Sequence, residues 1–248
     1  MRHFLLLTIS IFLVSSCVYE NEEETYYSTP GNLKNSLDSG LIAHFCFQNS
    51  LVDSSKNNVS GTYNGTPVYE DAISIGSVNK AIRFNGTDNY FEISIGQYGT
   101  VAISIFFKTD GALSTSQKPY LLDYGQDALA LNLDAVSGGT YMVVNNQTLN
   151  NPEENWISSF DGWNHLYIEA ELSTKQFRVI YNSSTKTDLV ISSVASNPMT
   201  LNSGSIIIGR SSSGTSGDNY FKGLIDDIRI YNRKLSNTEL HQISKVLQ

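Results

Sequence analysis

Runs of basic residues are missing from this sequence. Its 248 residues include 16 Lys and Arg against 24 Asp and Glu, which gives a formal net charge of −8. Proteins bind nucleic acid mainly by neutralising phosphates with clustered basic side chains, and a negative field repels polyanions at long range. The composition therefore argues against nucleic acid as a partner and against acidic polymers held by charge.

Common catalytic signatures are missing as well. The chain has no Gly-x-Ser-x-Gly elbow, no His-Glu-x-x-His motif and no Cys-x-x-Cys pair, and its four histidines are scattered. Cys46 lies in the apolar stretch GLIAHFCF without a His or Asp pattern around it. We interpret Cys46 as a small buried hydrophobe and not as a nucleophile. These motifs therefore indicate no serine-hydrolase, zinc-protease or thiol chemistry.

The apolar run at the N-terminus is too short to span a membrane. Residues 4–14 are almost wholly apolar, a length typical of the central region of a signal peptide. The run ends in VSSC, which resembles the lipobox of bacterial lipoproteins, where the cysteine becomes lipidated. We therefore interpret residues 1–16 as a signal peptide and predict lipidation of Cys17. An ordinary secretory signal is the alternative.

The segment after Cys17 is polar and acidic. It begins with YENEEE and contains few apolar residues up to about residue 39. Such a composition buries no core, and we predict a solvated, lipid-anchored tether over residues 17–39. An acidic run after a lipidated cysteine resembles the export signal of Bacteroidetes surface lipoproteins, whereas a plain soluble linker is the alternative. The resemblance implies an outer-membrane lipoprotein in the cell envelope, exposed on the surface.

From residue 40 onward the chain reads as strand after strand. Short segments rich in β-branched and aromatic residues are separated by clusters of Gly, Asn, Asp and Ser. In VAISIFFK, for example, Val101, Ile103 and Ile105 share one face. Regularly spaced short strands with turn signals predict an all-β antiparallel sandwich or barrel.

Helical signals occur only near the C-terminus. Ser236 and Glu239 have the spacing of a capping box, in which each side chain binds the backbone N–H of the other. Leu240, Ile243 and Leu247 follow as one apolar stripe. We predict one short C-terminal helix docked on the sandwich.

Five pieces of the sequence, in order over residues 40–245, resemble LamG-like domains of the concanavalin A-like lectin/glucanase superfamily. They are GLIAHFCFQNSLVDSS, AIRFNGTDNYFEI, AISIFFKTDG, GWNHLYIEAEL and FKGLIDDIRIYNRKLSNTEL. Each piece is weak alone, but the ordered set is specific. The resemblance implies one domain over residues 40–248, a two-sheet antiparallel jelly roll whose last strand pairs near the first. It implies function weakly, because the superfamily includes lectins, adhesion modules, ancillary domains of glycosidases and glucanases.

The last of these pieces contains two adjacent aspartates within an apolar run. Strict alternation places Asp226 on one face with Ile228 and Ile230, and Asp227 on the other face with Arg229. We therefore predict that Asp227 pairs with Arg229 and that the two carboxylates cannot act together on one substrate. An ionised Asp226 among apolar side chains requires a partner.

Two kinds of partner are open for Asp226. One is hydrogen bonding to backbone amides or to an arginine such as Arg83 or Arg210. The other is one structural calcium ion, which takes oxygen ligands. LamG-like domains often carry calcium between this strand and the loop after the first strand. The resemblance implies three ligands here: Asp53, Asn58 and Asp226. Lys56 replaces a glycine of the family's loop pattern DSSGN.

Catalysis is one alternative to binding. The laminarinase-type signature Glu-x-Asp-x-x-Glu is absent, because Glu92 is not followed by further acids. In HLYIEAEL, four polar residues alternate with apolar ones and share a face. Glu169 and Glu171 lie there as the candidate carboxylate pair of a glycoside hydrolase, since such neighbours are about 6.5–7 Å apart at Cα. A solvated strand face shows the same alternation, and we favour that interpretation.

The favoured function is a non-catalytic carbohydrate-binding or adhesion module. Sugar sites combine aromatic platforms with polar groups, and the chain has 14 Tyr with many Asn and Ser in its loops. Candidate rim loops span residues 121–127, 150–156 and 211–221. The predicted stacking residues in them are Tyr124, Trp156 and Tyr220. A structural module that binds a surface protein is the second alternative.

Overall fold

The structure, a computed structural model, describes much of the chain from residue 36 to residue 244. The described ranges are 36–72, 79–111, 118–125, 128–134, 139–144, 147–150, 162–174, 176–181, 189–192, 204–212 and 219–244. Cys17, Trp156 and residues 1–35 lie outside them. Within these ranges, no helix is long and apolar enough to cross a membrane.

The described residues form fifteen β-strands and a C-terminal helix. In chain order, the strands are β1 Leu41–Phe45, β2 Gly61–Tyr63, β3 Tyr69–Asp71, β4 Lys80–Asn85, β5 Phe91–Ser94, β6 Thr100–Thr109, β7 Tyr120–Tyr124, β8 Leu129–Asp134, β9 Gly139–Val144, β10 Gln147–Asn150, β11 Asn164–Glu171, β12 Gln176–Tyr181, β13 Leu189–Ser192, β14 Ser205–Ile208 and β15 Lys222–Tyr231. The helix, α1, is Asn237–Ser244.

The strands form two antiparallel sheets packed as a sandwich. The eight-stranded sheet has the order β13-β12-β11-β6-β15-β4-β3, with β1 also paired to β15. The seven-stranded sheet has the order β10-β9-β8-β7-β14-β5-β2. The predicted all-β, two-sheet antiparallel jelly roll is confirmed.

Strand β15 lies in the middle of the eight-stranded sheet and brings the two ends of the domain together. Along one edge it pairs with β6. Along the other edge its first half pairs with β4 and its second half pairs with β1. The expected pairing of the last strand with the first is confirmed.

The main core fills the space between the sheets. The three alternating residues of VAISIFFK lie in it, as predicted. Phe91 packs edge-to-face against Phe45 and Phe47, with ring centroids 5.0 and 5.4 Å apart. Such pairs add about 0.5–1.5 kcal/mol beyond the burial of apolar area. Cys46 is also buried, at 4% exposure.

A smaller apolar cluster covers the outer face of the eight-stranded sheet beneath α1. Its buried members are Ala102, Phe106, Tyr167, Ile180, Tyr231, Leu235, Leu240 and Ile243. The capping box is present: Ser236 N–H donates to Glu239 Oε2 at 2.8 Å, and Glu239 N–H donates to Ser236 Oγ at 3.3 Å. The predicted C-terminal helix is therefore confirmed, and its docking site is this outer face.

The folded domain includes residues that the sequence assigned to the tether. Residues 36–38 form a helical turn beside α1. Arg233 Nε donates to Ser39 O at 2.6 Å, and Ser36 Oγ donates to Glu239. Leu37 packs against the cluster beneath α1. The chain therefore joins the domain by residue 36, within the range predicted as tether.

Candidate functional site

The adjacent aspartates of β15 lie at a β-bulge. Asp226 is opposite Phe106 and Arg229 is opposite Ser104, so three steps along β15 match two along β6. Asp227, with φ 47°, is the extra residue. A bulge shifts the alternation by one, and it places Asp226 on the same outer face as Arg229. The predicted split of the two aspartates between opposite faces is wrong.

Asp227 forms a mostly buried ion cluster with Arg229 and His44. Arg229 Nε and Nη2 donate to the two carboxylate oxygens of Asp227 at 3.0 and 3.1 Å. His44 Nε2 contacts Oδ1 of the same carboxylate. Burial alone would raise the pKa of Asp227, but Arg229 and His44 outweigh it and hold that pKa well below its usual range. The predicted pairing of Asp227 with Arg229 is confirmed.

Asp226 is held by hydrogen bonds. It is 5% exposed, and it accepts the N–H of Asp227 at 2.7 Å and Nδ2 of Asn79 at 3.1 Å. Burial, followed by the negative charge of Asp227, raises the pKa of Asp226 well above its ordinary value. Arg83, one of its predicted partners, pairs instead with Glu70. The backbone-amide alternative is the one that the structure shows.

The three predicted calcium ligands serve separate purposes. Asp53 Oδ1 accepts the N–H groups of His44 and Ser55, and Oδ2 accepts the N–H of Val59 and the hydroxyl of Ser55, all at 2.8–2.9 Å. A carboxylate offers about four lone-pair sites, and these donors fill them. Asn58 is exposed. Among the described residues, no group of three or more His, Cys, Asp or Glu is placed to hold a metal.

The loop after β1 nevertheless keeps the backbone geometry that the family pattern suggests. Lys56, at the position of the family's glycine, has φ 75°, and Asn58 has φ 55°. Both values lie in the left-handed region that glycine adopts most easily. Calcium binding stays a prediction. Addition of EDTA to the purified protein should lower its melting temperature if calcium is bound, and an unchanged temperature would end the hypothesis.

Of the candidate carboxylate pair of β11, Glu169 is buried and Glu171 is half-buried. Glu169 is 6% exposed and accepts the Tyr167 hydroxyl at 2.6 Å, and that hydroxyl accepts the Leu235 N–H at 2.9 Å. Glu171 forms an ion pair with Lys234 at 2.8 Å. The face predicted to be solvated is therefore covered where α1 and the segment before it dock.

A Ser–His contact that no sequence pattern predicts lies on this same face. Ser104 Oγ lies 2.8 Å from His165 Nε2, and the His165 ring stacks on Phe106 with centroids 4.6 Å apart. Both Ser104 and His165 are 0% exposed. Burial lowers the pKa of His165 to about 3, so its ring is neutral at physiological pH. A buried pair of this kind stabilises the sheet and cannot reach a substrate.

The outer face of the seven-stranded sheet joins two of the predicted rim loops. Asp123 in β7 accepts the N–H of Ser212 at 2.7 Å and its hydroxyl at 2.6 Å. Ile207 in β14 lies opposite both Asp123 and Glu92 of β5. Glu92 alternates with the core residues Phe91 and Ile93, so it faces outward. Asp123 and Ser212, which belong to the predicted rim loops 121–127 and 211–221, therefore meet on this sheet.

Arg210 completes the arrangement at the end of β14. Gly209 has φ 92°, and a Cβ there would lie 2.7 Å from the Phe84 ring, so the chain turns where only glycine fits. The turn places the Arg210 guanidinium 4.0 Å from the centroid of the Tyr90 ring. We call this region the β14 patch. Its half-buried members are Tyr90, Glu92, Arg210 and Ser212, and Asp123 and Ile207, which are 1% and 7% exposed, lie beneath them.

The three predicted stacking residues have different outcomes. Tyr124 is 0% exposed in the main core, and its hydroxyl donates to Gly96 O at 3.3 Å. Its prediction as a sugar platform is wrong, because Asp123 is the outward residue there. Tyr220 is half-buried, and the next residue, Phe221, donates its N–H to Gly209 O at 2.8 Å. Tyr220 therefore lies beside the β14 patch and stays a prediction. Trp156 is outside the described residues.

Comparison with known proteins agrees with this architecture. Residues 85–241 match the Laminin_G_3 family, described as the concanavalin A-like lectin/glucanases superfamily. The match covers more than half of the chain, and the protein therefore belongs to this family. No curated protein matches the sequence.

Solved structures share the fold at low sequence identity. Domain 4 of AbnA, a GH43 extracellular arabinanase from Geobacillus stearothermophilus in complex with arabinotriose, matches with a TM-score of 0.59 and 22% identity, over 84% of this chain and 98% of that one. The botulinum neurotoxin serotype D ligand-binding domain, in complex with N-acetylneuraminic acid, matches with a TM-score of 0.63 and 13% identity, over 86% of this chain and 52% of that one. This chain thus spans about half of the neurotoxin fragment.

Proposed function

We propose that this protein is a non-catalytic carbohydrate-binding module and that the β14 patch is its ligand-binding face. The observation that carries the proposal is the junction of two rim loops over the seven-stranded sheet, fixed by the hydrogen bonds from Ser212 to Asp123. The junction places the half-buried Glu92 carboxylate, the Arg210 guanidinium and the Tyr90 ring on the outer face of this sheet, with the buried Asp123 holding Ser212 in position.

The chemistry of the β14 patch suits a saccharide. Sugar hydroxyls can donate to the Glu92 carboxylate and accept from the Arg210 guanidinium, while the half-buried Tyr90 ring supplies apolar contact. Membership of the lectin/glucanase superfamily supports the proposal, as do the sugars bound by the arabinanase domain and the neurotoxin domain. Because those identities are low, the ligand of this protein needs its own measurement.

The N-terminal features fit a surface-anchored module. We propose that lipid on Cys17 anchors the chain in the outer membrane and that the acidic segment after it acts as the tether. Residue 36, where the described chain joins the domain, lies by α1 on the outer face of the eight-stranded sheet. Metabolic labelling with a clickable fatty acid should label the wild type and leave Cys17→Ser unlabelled. Labelling of both would contradict the proposal.

A glycan array tests the proposed function. The mature protein should bind a subset of glycans and release no reducing ends from the corresponding polysaccharides. Release of reducing ends would favour a glycoside hydrolase. Absence of both binding and turnover would favour a module that binds a surface protein, the remaining alternative. Parallel arrays with calcium and with EDTA would show whether binding depends on that ion.

A further inference from the structure

Within the described part of the chain, Arg210 has no acidic partner, although the protein is rich in acids. Other arginines have carboxylate partners: Arg83 pairs with Glu70, Arg229 with Asp227, and Arg233 with Glu239. No ion pair to Arg210 occurs within the described part of the chain. Acidic residues outnumber basic ones by 24 to 16, so an arginine without a carboxylate partner requires an explanation.

The guanidinium of Arg210 is held in place but is not saturated. It has five N–H donors. Nη1 donates to Ser211 O at 3.1 Å, and the buried Nε has no acceptor among the described residues. The Tyr90 ring lies against one face of the guanidinium plane at 4.0 Å. Stacking restricts the plane of the group, so less freedom remains to be lost when its edge binds a ligand.

The neighbours of Arg210 limit the kind of ligand that fits. Glu92 is the half-buried carboxylate of the same β14 patch, and among the described residues it forms no ion pair with Arg210. Its carboxylate suits the hydroxyls of a sugar and repels a second anionic group. Together with the net charge of −8, this argues against a polyanion. The geometry calls for one anion at Arg210 and neutral hydroxyls elsewhere.

We infer that Arg210 binds the carboxylate of an acidic sugar, so that the ligand is a saccharide carrying a single uronic or similar carboxylate among neutral units. The inference rests on the proposed carbohydrate-binding function and specifies its substrate class. A carboxylate matches the planar fork of a guanidinium with two parallel hydrogen bonds, which a neutral hydroxyl does not reproduce. A lysine presents a point charge in place of the fork and should recognise the group less well.

The test is a glycan array with matched pairs of oligosaccharides that differ only by oxidation of one CH2OH to a carboxylate. Wild type should prefer the carboxylated member of its best pair by about 10- to 100-fold, as for a charge-assisted hydrogen bond. Arg210→Gln should abolish the preference, and Arg210→Lys should retain only part of it. Lys222→Gln removes the same charge from the other sheet and should keep the preference. Higher salt should lower the affinity for the acidic oligosaccharide and leave the affinity for the neutral one unchanged.

The possible results of the array distinguish the acidic-sugar inference from the proposed binding function. Equal binding of neutral and acidic members, or a preference that survives in Arg210→Gln, would overturn the acidic-sugar inference while the binding function stands. Failure of the wild type to bind any glycan would overturn the proposed function itself. If Arg210→Gln unfolds, the wild-type preference and its reduction in Arg210→Lys still decide, because Lys keeps the charge and the length of the side chain.

Discussion

The outer faces of the two sheets carry polar residues for different purposes. On the eight-stranded sheet, the carboxylates of Asp227 and Glu169 lie against protein donors and close to α1 or to β1. On the seven-stranded sheet, Glu92 and Arg210 remain half-buried with few protein partners in the described part of the chain. The first face therefore stabilises the fold, and the second is where we propose that a ligand binds. Burial and partners, not residue type, separate the two roles.

The largest expected effect is the loss of Asp227. Asp227→Ala leaves Arg229 and His44 around a mostly buried site without their carboxylate, and breaking a buried pair in this way costs about 3–5 kcal/mol. Urea unfolding at pH 7 measures the free energy of unfolding. Asp71→Asn is the control, because its partner Lys80 forms a surface pair worth at most about 1 kcal/mol. Equal effects of the two variants would contradict the contrast between buried and exposed pairs.

Replacement of the neighbouring carboxylate, Asp226, should not destabilise the protein. The folded protein raises the pKa of Asp226, so ionisation at neutral pH opposes folding. Asp226→Asn removes that charge and keeps a polar group of the same shape. The free energy of unfolding at pH 7 should be unchanged or higher. A large loss would mean that the ionised carboxylate of Asp226 binds something stabilising, such as the predicted calcium.

Asp226 and Asp227 show that the alternation of side chains along a strand does not always assign residues to the correct face of a sheet. The strands, the pairing of the last strand with the first, the helix and its capping box followed from periodicity, turn residues and the ordered family pieces. The bulge did not, because a left-handed Asp227 leaves no mark in an apolar run, although Asp adopts that conformation more readily than most residues. Each bulge reverses the faces of all later residues in its strand.

The position of the proposed ligand face was only partly predictable. Two of the predicted rim loops contribute residues to the β14 patch, but the sequence predicts Tyr124 as the outward residue of the first loop, whereas its ring lies in the core. The strand PYLLDYG contains apolar residues at successive positions, and β7 shifts register between Tyr120 and Leu122, so sequence alone gives no clear face. Likewise, the docking of α1 over β11 depends on tertiary packing that HLYIEAEL does not encode locally.

Low pH should weaken the contacts that Glu239 of α1 makes with Ser36 and Arg233. Burial alone would raise the pKa of Glu239, but hydrogen bonds from Arg233, Ser36 and Ser236 lower it to about 2. A depressed folded pKa gives stability that is present above the ordinary value of 4.5 and is lost as pH falls towards about 2. The loss should be up to about 3 kcal/mol.

Urea unfolding at several pH values checks this expectation. Glu239→Gln should be less stable than wild type at pH 6, and the two curves should approach each other as pH falls from 4.5 to about 2. A constant difference across that window would show that Glu239 acts through packing and not through its charge.

Substitutions on the two outer faces should differ in their effect on glycan affinity, and this effect is smaller than the stability effects above. Glu92→Gln removes a charged acceptor from the β14 patch. It should lower the affinity for the glycan that binds best on the array by about fivefold, the effect of losing one hydrogen bond. Glu171→Gln is the matched control, since Glu171 is also half-buried but lies on the other sheet with Lys234. Titration calorimetry measures both. A larger loss of affinity in Glu171→Gln would mean that the glycan binds the eight-stranded sheet, which contradicts the proposal.

The smallest effect should come from Tyr124. Tyr124→Phe removes only a hydroxyl that donates to Gly96 O at 3.3 Å, and it should lower the free energy of unfolding by about 1 kcal/mol or less. Glycan affinity should stay the same, because the ring is enclosed in the core. Loss of affinity at unchanged stability would restore Tyr124 as a ligand residue.

Hydrogen exchange with and without the best array glycan tests the central claim most directly. The ligand should slow exchange of amides in residues 90–94, 121–125 and 205–212, which surround the β14 patch. Exchange in β11 and α1 should not change. Protection confined to β11 and α1 would contradict the assignment of the ligand face to the seven-stranded sheet.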